Sequence, residues 1–356
     1  MRAWPLGRMV YAEARRACGW TAGLSLALAA CGAWLATAQT MERVSGLIPT
    51  SASAALERHG AWCAVLLVLC PCWSWLAAVR GDALRTKERT LWLVGGADAW
   101  QASVSQVLGL CTVALASVVL LALMIEWRAG AATLPRELGP AVAPHGVWID
   151  HQGLTWSASV PAPSHAATLC VPLGLGSGAG AATRVEFSVS SLGSTRRSES
   201  LIALQGDACV AWPADTSDTF DTGTTLQLRT MEPAARVWLM EGAHWQAAPE
   251  PASTASVELA LRTLLLLAVL AAWAHGLAMW MRPALAAVVA LLTWGAIAFA
   301  WSPAWLAGAQ LPEALYTLRA GSIPIAIDAW SVADALAGAL VGLVLSVRGL
   351  ARGAAA

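Results

Sequence analysis

The sequence predicts an α-helical polytopic membrane protein, with six transmembrane helices arranged three plus three around an inserted extracytoplasmic all-β domain that is jelly-roll-like. Three observations predict this fold class. Of the 356 residues, 57% are hydrophobic and 12% are charged, which leaves too little polar surface for a soluble globular protein. Long charge-free runs stand on both sides of a central block, residues 127–256. Within that block, apolar and polar residues alternate as they do in half-buried β-strands.

The six helices are predicted from the lengths of the charge-free runs. A helix needs about 20 apolar residues to cross roughly 30 Å of hydrocarbon, and five runs reach about that length. The sixth reaches it if it begins near Ala329 and carries Asp334 close to its outer end. The predicted spans are residues 18–38, 61–79, 104–125, 263–281, 284–306 and 329–347. The chain therefore divides into residues 1–126 with three spans, the domain 127–256, and residues 257–356 with three more.

Basic residues orient the predicted spans. They precede the first span, separate the second from the third and the fourth from the fifth, and follow the sixth: Arg2, Arg8, Arg15, Arg16, Arg80, Arg85, Lys87, Arg89, Arg282, Arg348 and Arg352. The positive-inside rule then predicts a multi-pass protein of the cytoplasmic (inner) membrane, with both termini in the cytoplasm and the β-domain in the periplasm. Zero net charge argues against a nucleic-acid partner.

The first span also has features of a secretory signal. Arginines precede its apolar run, and Ala36-Thr37-Ala38 resembles a cleavage site. Its uncharged run is longer than the usual signal core of about 7 to 15 residues. The length favours a retained helix.

Strands alternate with turn residues in the central domain. Strand patterns occur at residues 147–150, 184–189 and 226–229, and turn patterns occur at residues 151–153, 174–180, 205–207 and 221–223. The regular spacing is typical of a sandwich or jelly roll. Cys170 and Cys209 share this domain, and an oxidising compartment permits a disulfide between them, although sequence does not show their separation.

The loop between the second and third spans carries a short amphipathic pattern. Residues 85–97 place Leu91 and Trp92 on one face of a helix among charged neighbours that include Glu88, and glycine closes the segment. One interpretation is an interfacial connector. The other is a coupling helix, which inserts into a groove of a separate ATPase and transmits its motion.

Motifs for catalysis or metal binding are missing from the sequence. It contains no His-Glu-x-x-His, no Gly-x-Ser-x-Gly and no P-loop, so we expect no catalytic residue, no metal site and no cofactor in this chain. His275 is the only ionisable residue predicted well inside a span. Its lack of evident partners favours a structural or interfacial role over a proton relay.

The layout and two short motifs resemble the LptF/LptG (YjgP/YjgQ-type) permease family of lipopolysaccharide export. In the loop, Glu88, Thr90 and Gly96 fall at the family's spacings, with Lys87 where the family usually has serine. At the start of the fourth span, the family tends to show Glu-Leu-x-x-Arg. Here that motif is formed by Glu258, Leu259 and Arg262.

The resemblance implies a transport subunit rather than an enzyme. Such a subunit extracts lipopolysaccharide, or a related envelope lipid, and passes it to a periplasmic β-domain bridge. It implies three protein partners: an LptB-like ATPase pair that binds ATP and Mg, a second LptF/LptG-like permease, and a periplasmic LptC/LptA-like β-jelly-roll protein. The implied ATPase-coupling residues are Glu88, Thr90, Leu91, Trp92 and Gly96.

The same resemblance places Glu42 and Arg43, at the outer end of the first helix, against the lipid head group. An ordinary solvated arginine is the alternative for Arg43. Two other functions stay open for the whole chain: the permease of another ABC exporter type, and a non-transporting membrane anchor whose β-domain binds an envelope partner. The choice between LptF and LptG also stays open.

Overall fold

The chain folds into two compact units. The computed structural model describes residues 6–44, 50–88, 98–140, 143–157, 168–176, 182–191, 194–202, 205–211, 225–300, 310–319, 321–327 and 329–355. The helical unit comprises Met1–Leu134 and Pro251–Ala356, and the β unit comprises Pro135–Glu250. The boundaries of the β unit lie inside the predicted domain 127–256. Each unit is described by itself below.

The described part of the helical unit contains eight α-helices. They are α1 (Leu6–Ala17), α2 (Trp20–Val44), α3 (Thr50–Ala83), α4 (Ala99–Ala129), α5 (Ser253–Ala278), α6 (Pro283–Ala300), α7 (Gln310–Arg319) and α8 (Ala329–Ala355). The end of α3 continues into a π-helical turn, Leu84–Glu88. The predicted N-terminal segment before the first span therefore contains a separate helix, α1.

Four stretches in the described residues are long and apolar enough to cross a membrane: Ala54–Thr86, Ala99–Ala129, Ser253–Ala278 and Ala329–Arg352. A fifth is present if Leu6–Ala17 and Thr21–Thr37, which meet at a bend of 62°, form one broken span. These lengths and compositions are those of a membrane protein. The number six stays a prediction, because α6 has a shorter apolar stretch and residues 301–309 lie outside the described part.

Small residues let the helices approach closely. In α5 and α8, Gly276 and Gly342 face each other, and a Cβ on Gly276 would overlap the carbonyl oxygen of Gly342. A Cβ on Gly342 would lie 2.5 Å from the carbonyl carbon of Ala272. Transmembrane helices pack through such small-residue contacts because lipid offers no hydrophobic drive for their association. Glycine here fixes the separation of α5 and α8.

The β unit is built around two antiparallel sheets. Its strands are β1 (Thr133–Pro140), β2 (Val147–Ile149), β3 (Leu154–Ser157), β4 (Thr168–Leu175), β5 (Thr183–Ser191), β6 (Ser194–Ile202), β7 (Gln205–Ala211), β8 (Thr225–Thr230), β9 (Val237–Leu239) and β10 (His244–Pro251). One sheet has the order β1-β10-β4-β9-β2, with β7 also paired to β4. The other has the order β3-β8-β5-β6.

The two sheets share one apolar core. Val171 and Leu173 of β4 lie in the same buried cluster as Phe187 of β5 and Leu228 of β8. In β8, exposed and buried residues alternate, as expected for a strand with one face on the core. The alternation used to predict strands at residues 147–150, 184–189 and 226–229 is confirmed by β2, β5 and β8.

The predicted turns have mixed outcomes. The turn at 151–153 is present: Gly153 has φ of +81°, and its N–H donates to the carbonyl of Asp150. The turn at 205–207 is wrong, because these residues begin β7 and Gly206 pairs with Leu173. Tertiary pairing overrides the local turn preference of Gln-Gly-Asp. In the glycine run 174–180, Gly174 belongs to β4, and residues 177–180 and 221–223 lie outside the described part.

Cys170 and Cys209 form a disulfide. They are directly opposite each other in the β4–β7 ladder, with their Cα atoms 4.1 Å apart. Strand register therefore brings together the two cysteines whose pairing the sequence left open.

Candidate functional site

The predicted coupling residues lie at and beyond the end of α3. Glu88 is the last residue of the π-helical turn Leu84–Glu88. The remaining predicted coupling residues, Thr90, Leu91, Trp92 and Gly96, lie outside the described residues. Glu42 and Arg43, predicted to face the lipid head group, belong to the last turn of α2, and their side chains are outside the described part. The roles of all these residues stay predictions.

The π-helical turn is anchored by one buried side chain. Leu84 is fully buried and shares an apolar cluster with Ala102 of α4, Met279 at the end of α5 and Leu350 of α8. Leu84 therefore joins the end of α3 to three other helices through direct packing contacts.

Polar contacts fix the backbone on both sides of the predicted coupling loop. Before it, Arg85 forms an ion pair with Asp82 at 2.5 Å, and the hydroxyl of Thr86 donates to the Asp82 carbonyl at 2.8 Å. After it, the Asp98 carboxylate accepts a hydrogen bond of 2.6 Å from the Gln101 N–H and caps α4. Residues 89–97 are thus bounded by two local hydrogen-bonded anchors.

A buried polar network joins α4, α5 and α8, the same three helices that Leu84 contacts. His275 of α5 is within 2.8 Å of Gln106 Oε1 of α4 through Nε2, and within 3.1 Å of Ser346 Oγ of α8 through Nδ1. Ser346 Oγ is 2.9 Å from Ser103 Oγ. All four side chains are buried. Because Gln106 Oε1 can only accept a hydrogen bond, the His275 proton is on Nε2, which donates to it. The unprotonated Nδ1 then accepts a hydrogen bond from the Ser346 hydroxyl.

A buried carboxylate lies near the same end of α3. Glu13 of α1 forms ion pairs with Arg80 of α3 and with Arg16 one turn along its own helix, the latter at 2.8 Å. Its Cβ is 2.8 Å from the position that a Cβ on Gly109 of α4 would occupy. Only glycine lets α1 lie this close to α4. We call this part of the molecule, with Arg80, Glu13 and His275, the Arg80 end.

The opposite end of α3 has its own buried ion pair. Arg58 donates to both carboxylate oxygens of Glu126, at 2.8 and 2.7 Å, and to the carbonyl of Gly130 at 2.8 Å. The hydroxyl of Ser256 in α5 also donates to Glu126. Bidentate geometry makes this a strong arginine-carboxylate contact. We call this part, with Arg58, Glu126 and Ser256, the Arg58 end.

The predicted motif at the start of the fourth span faces the connection between α7 and α8. Glu258 accepts a hydrogen bond of 3.3 Å from the Ile327 N–H, and Arg262 donates to the Ile325 carbonyl at 2.7 Å. Leu259 is fully buried in the helix core. Arg262 is buried and bonds to a chain segment remote in sequence, so the motif joins the start of α5 to the connection between α7 and α8.

Sequence reasoning missed both buried ion pairs. Glu13, Arg58 and Glu126 lie outside the predicted spans, so their position near the span ends was the sequence feature that could have indicated a buried pair. A usable signal was present: opposite charges at corresponding ends of consecutive spans can pair across helices. His275 bonds to two other helices, partners that its place in the sequence did not reveal, and its role stays a prediction.

The fold and these sites define a class: a membrane protein whose helical unit is interrupted by a two-sheet β unit. No family model, no curated protein and no solved structure matches the chain. Among the described residues, no group of three or more His, Cys, Asp or Glu side chains is arranged to hold a metal ion.

Proposed function

We propose that this chain is the permease subunit of an ATP-driven transporter of the LptF/LptG type. It extracts lipopolysaccharide, or a related envelope lipid, from the inner membrane and delivers it to a periplasmic β-domain bridge. ATP and Mg are bound by a partner ATPase pair. A second permease completes the membrane part of the complex.

One observation carries the proposal: the charged coupling segment and the first connection to the β unit follow from opposite ends of one helix, α4. Helix α4 begins at Ala99, after its N-cap Asp98 and the segment, and ends at Ala129, five residues before the helical unit gives way to the β unit. At about 1.5 Å per residue, the 31 residues of α4 separate these points by roughly 46 Å. This separation exceeds the roughly 30 Å thickness of the hydrocarbon core, so the two points can lie on opposite sides of the membrane, as the proposed transport requires.

The helical unit also has the contacts that a mechanical subunit needs. Leu84 connects the coupling segment to α4, α5 and α8, and His275 holds the same three helices together. Helices α4 and α5 are the two that bracket the inserted unit in the chain. Motion of the segment after α3 therefore has a packed route to both helices.

The β unit fits the role of a lipid acceptor in its composition. Its two sheets pack on a buried core of apolar side chains such as Val171, Phe187 and Leu228, the kind of surface with which acyl chains associate. The jelly-roll-like connectivity and the periplasmic location belong to this proposal. They follow from the resemblance and from the basic residues predicted to lie in the cytoplasm.

The experiment is lipid extraction by the purified complex in vesicles that contain lipopolysaccharide. The complex comprises this chain, the second permease and the ATPase pair. We compare wild type with Glu88→Ala and with the control Glu199→Ala, which removes an exposed carboxylate from β6. The proposal expects Glu88→Ala, or Gly96→Pro, to abolish ATP-driven extraction while the protein stays in the membrane. The control keeps wild-type extraction.

The alternatives give different outcomes in the same material. If the solubilised protein captures no ATPase and only envelope proteins, it is a non-transporting anchor and the proposal fails. If it captures an ATPase but photo-crosslinkers placed on the β-unit core collect no lipid, the chain belongs to another exporter type.

A further inference from the structure

Helix α1 has two faces of different character. The buried face is formed by Met9, Glu13 and Ala17, which lie one turn apart and pack in the helical unit. The Glu13 carboxylate on this face is neutralised by Arg16 and Arg80. The ionic groups of this face are thus satisfied inside the protein.

The other face carries Arg8, Tyr11 and Arg15. These residues are spaced three and four apart, so they form one stripe along the helix, and all three are exposed. Tyr11 is 71% exposed. Among the described residues, neither Arg8 nor Arg15 forms an ion pair, in contrast to Arg16 and Arg80.

We propose that the stripe Arg8, Tyr11 and Arg15 binds the anionic head groups of phospholipids at the membrane surface. Charge complementarity carries the assignment: two exposed arginines, which have no carboxylate partner in the described part of the chain, lie on a helix whose opposite side is fixed to the protein. A tyrosine between them is suited to the head-group level, where its ring is apolar and its hydroxyl is hydrated.

The bend between α1 and α2 supports a surface position. The two helices meet at 62°, so α1 departs from the direction of α2, the helix that follows it. Basic and aromatic side chains beside a membrane-spanning helix are typical of the head-group level. The inference concerns the anchoring of the chain and does not depend on which lipid is transported. We place the stripe at the cytoplasmic leaflet, and this part of the inference rests on the orientation given with the proposed function.

The test measures lipid binding to the full-length protein in neutral detergent micelles by native mass spectrometry. Phosphatidylglycerol and phosphatidylcholine are titrated separately against wild type and Arg8→Gln/Arg15→Gln. We expect wild type to prefer phosphatidylglycerol. The double variant should lose roughly tenfold or more of that affinity and keep its phosphatidylcholine binding, because each basic residue near an anionic surface contributes on the order of a fivefold factor.

Two further variants separate charge from location and shape. Arg184→Gln/Arg196→Gln removes two exposed arginines from the β unit and should bind both lipids like wild type. Arg8→Lys/Arg15→Lys keeps the charges and should retain most of the preference. If the glutamine double variant does not fold, the single variants Arg8→Gln and Arg15→Gln must each lose part of it.

The proposal is overturned if Arg8→Gln/Arg15→Gln keeps the preference, or if the β-unit control loses as much. It is also overturned if the double variant binds lipid normally but no longer captures the ATPase, since the stripe is then a protein interface. This assay does not measure lipid extraction, so its failure would not contradict the proposed transport function. Failure of the extraction experiment would likewise not contradict lipid binding by the stripe.

Discussion

The Arg58 end and the Arg80 end of the helical unit are both closed by buried ion pairs, but a different partner is buried more deeply in each. At the Arg58 end, the arginine is 1% exposed and Glu126 is 22% exposed. At the Arg80 end, Glu13 is 2% exposed and Arg80 is 16% exposed. Charges buried this deeply require their partners, because an unpaired ion loses its hydration without compensation.

The number of partners also differs between the ends. In the ion pairs of the described residues, Arg58 has one carboxylate partner, Glu126, held in a bidentate contact. Glu13 has two cationic partners, Arg16 and Arg80. The Arg80 end therefore has an alternative partner when one contact is lost, and the Arg58 end depends on one carboxylate.

The largest expected effect breaks the fixed pair. Glu126→Gln leaves Arg58 buried without a counterion, which should lower the free energy of unfolding by about 3–5 kcal/mol. Unfolding by sodium dodecyl sulfate titration in micelles measures the loss. The control is Glu250→Gln, which removes the partner of Arg136 at a half-exposed pair in the β unit and should cost at most about 1 kcal/mol. Equal losses would show that the burial of Arg58 has no special weight.

The next effect concerns the network at the Arg80 end. Ser346→Ala removes the hydroxyl between Ser103 and His275 and should cost about 1–3 kcal/mol, because two buried polar atoms lose their partner. Ser105→Ala is a matched control: this serine is also buried, but it bonds only one turn back, to the Ala102 carbonyl. The same titration compares them, and a control as damaging as Ser346→Ala would exclude a network contribution.

A smaller effect is expected from removing one of two exchangeable partners. Arg80→Gln leaves Glu13 paired with Arg16, so we expect a loss of about 1.5 kcal/mol, well below that of Glu126→Gln. In a protein that already carries Arg80→Gln, the further change Arg16→Gln should lower the free energy of unfolding more than Arg16→Gln does in the wild type. Strict additivity in this double-mutant cycle would contradict the exchange of partners.

The smallest effect tests whether the two ends are independent in the folded state. From Arg58 to Arg80, α3 rises about 33 Å, so the losses from Glu126→Gln and Ser346→Ala should add to within about 0.5 kcal/mol. Thermal and detergent unfolding of both single variants and the double variant give the sum. A larger coupling energy would mean that the ends communicate already at rest.

Sequence predicted the parts of this fold that are set by local composition. The runs at 61–79, 104–125, 263–281 and 329–347 match α3, α4, α5 and α8, because a continuous apolar run has one stable form in hydrocarbon. The helix at residues 6–17 could also have been predicted, since Met9, Glu13 and Ala17 are spaced four residues apart, as on one face of a helix.

The contacts of the candidate sites could not be read in the same way. Glu126 pairs with Arg58 across 68 residues, and Gln106 meets His275 across 169, so helix packing alone decides these partners. The disulfide depends on the register of β4 and β7, which places Cys170 opposite Cys209. Residues 205–207 have a turn-like sequence but form the start of β7, because they pair with β4 across the sheet.

The first and last strands of the β unit are neighbours in one sheet, with β1 beside β10. Arg136 and Glu250 form an ion pair near their ends, and the Ala252 N–H donates to the Ala132 carbonyl at 2.8 Å. The chain thus departs and returns at nearly the same point. Because the two connections are this close, an insertion or deletion within the β unit can leave the spacing of the two host helices, α4 and α5, unchanged.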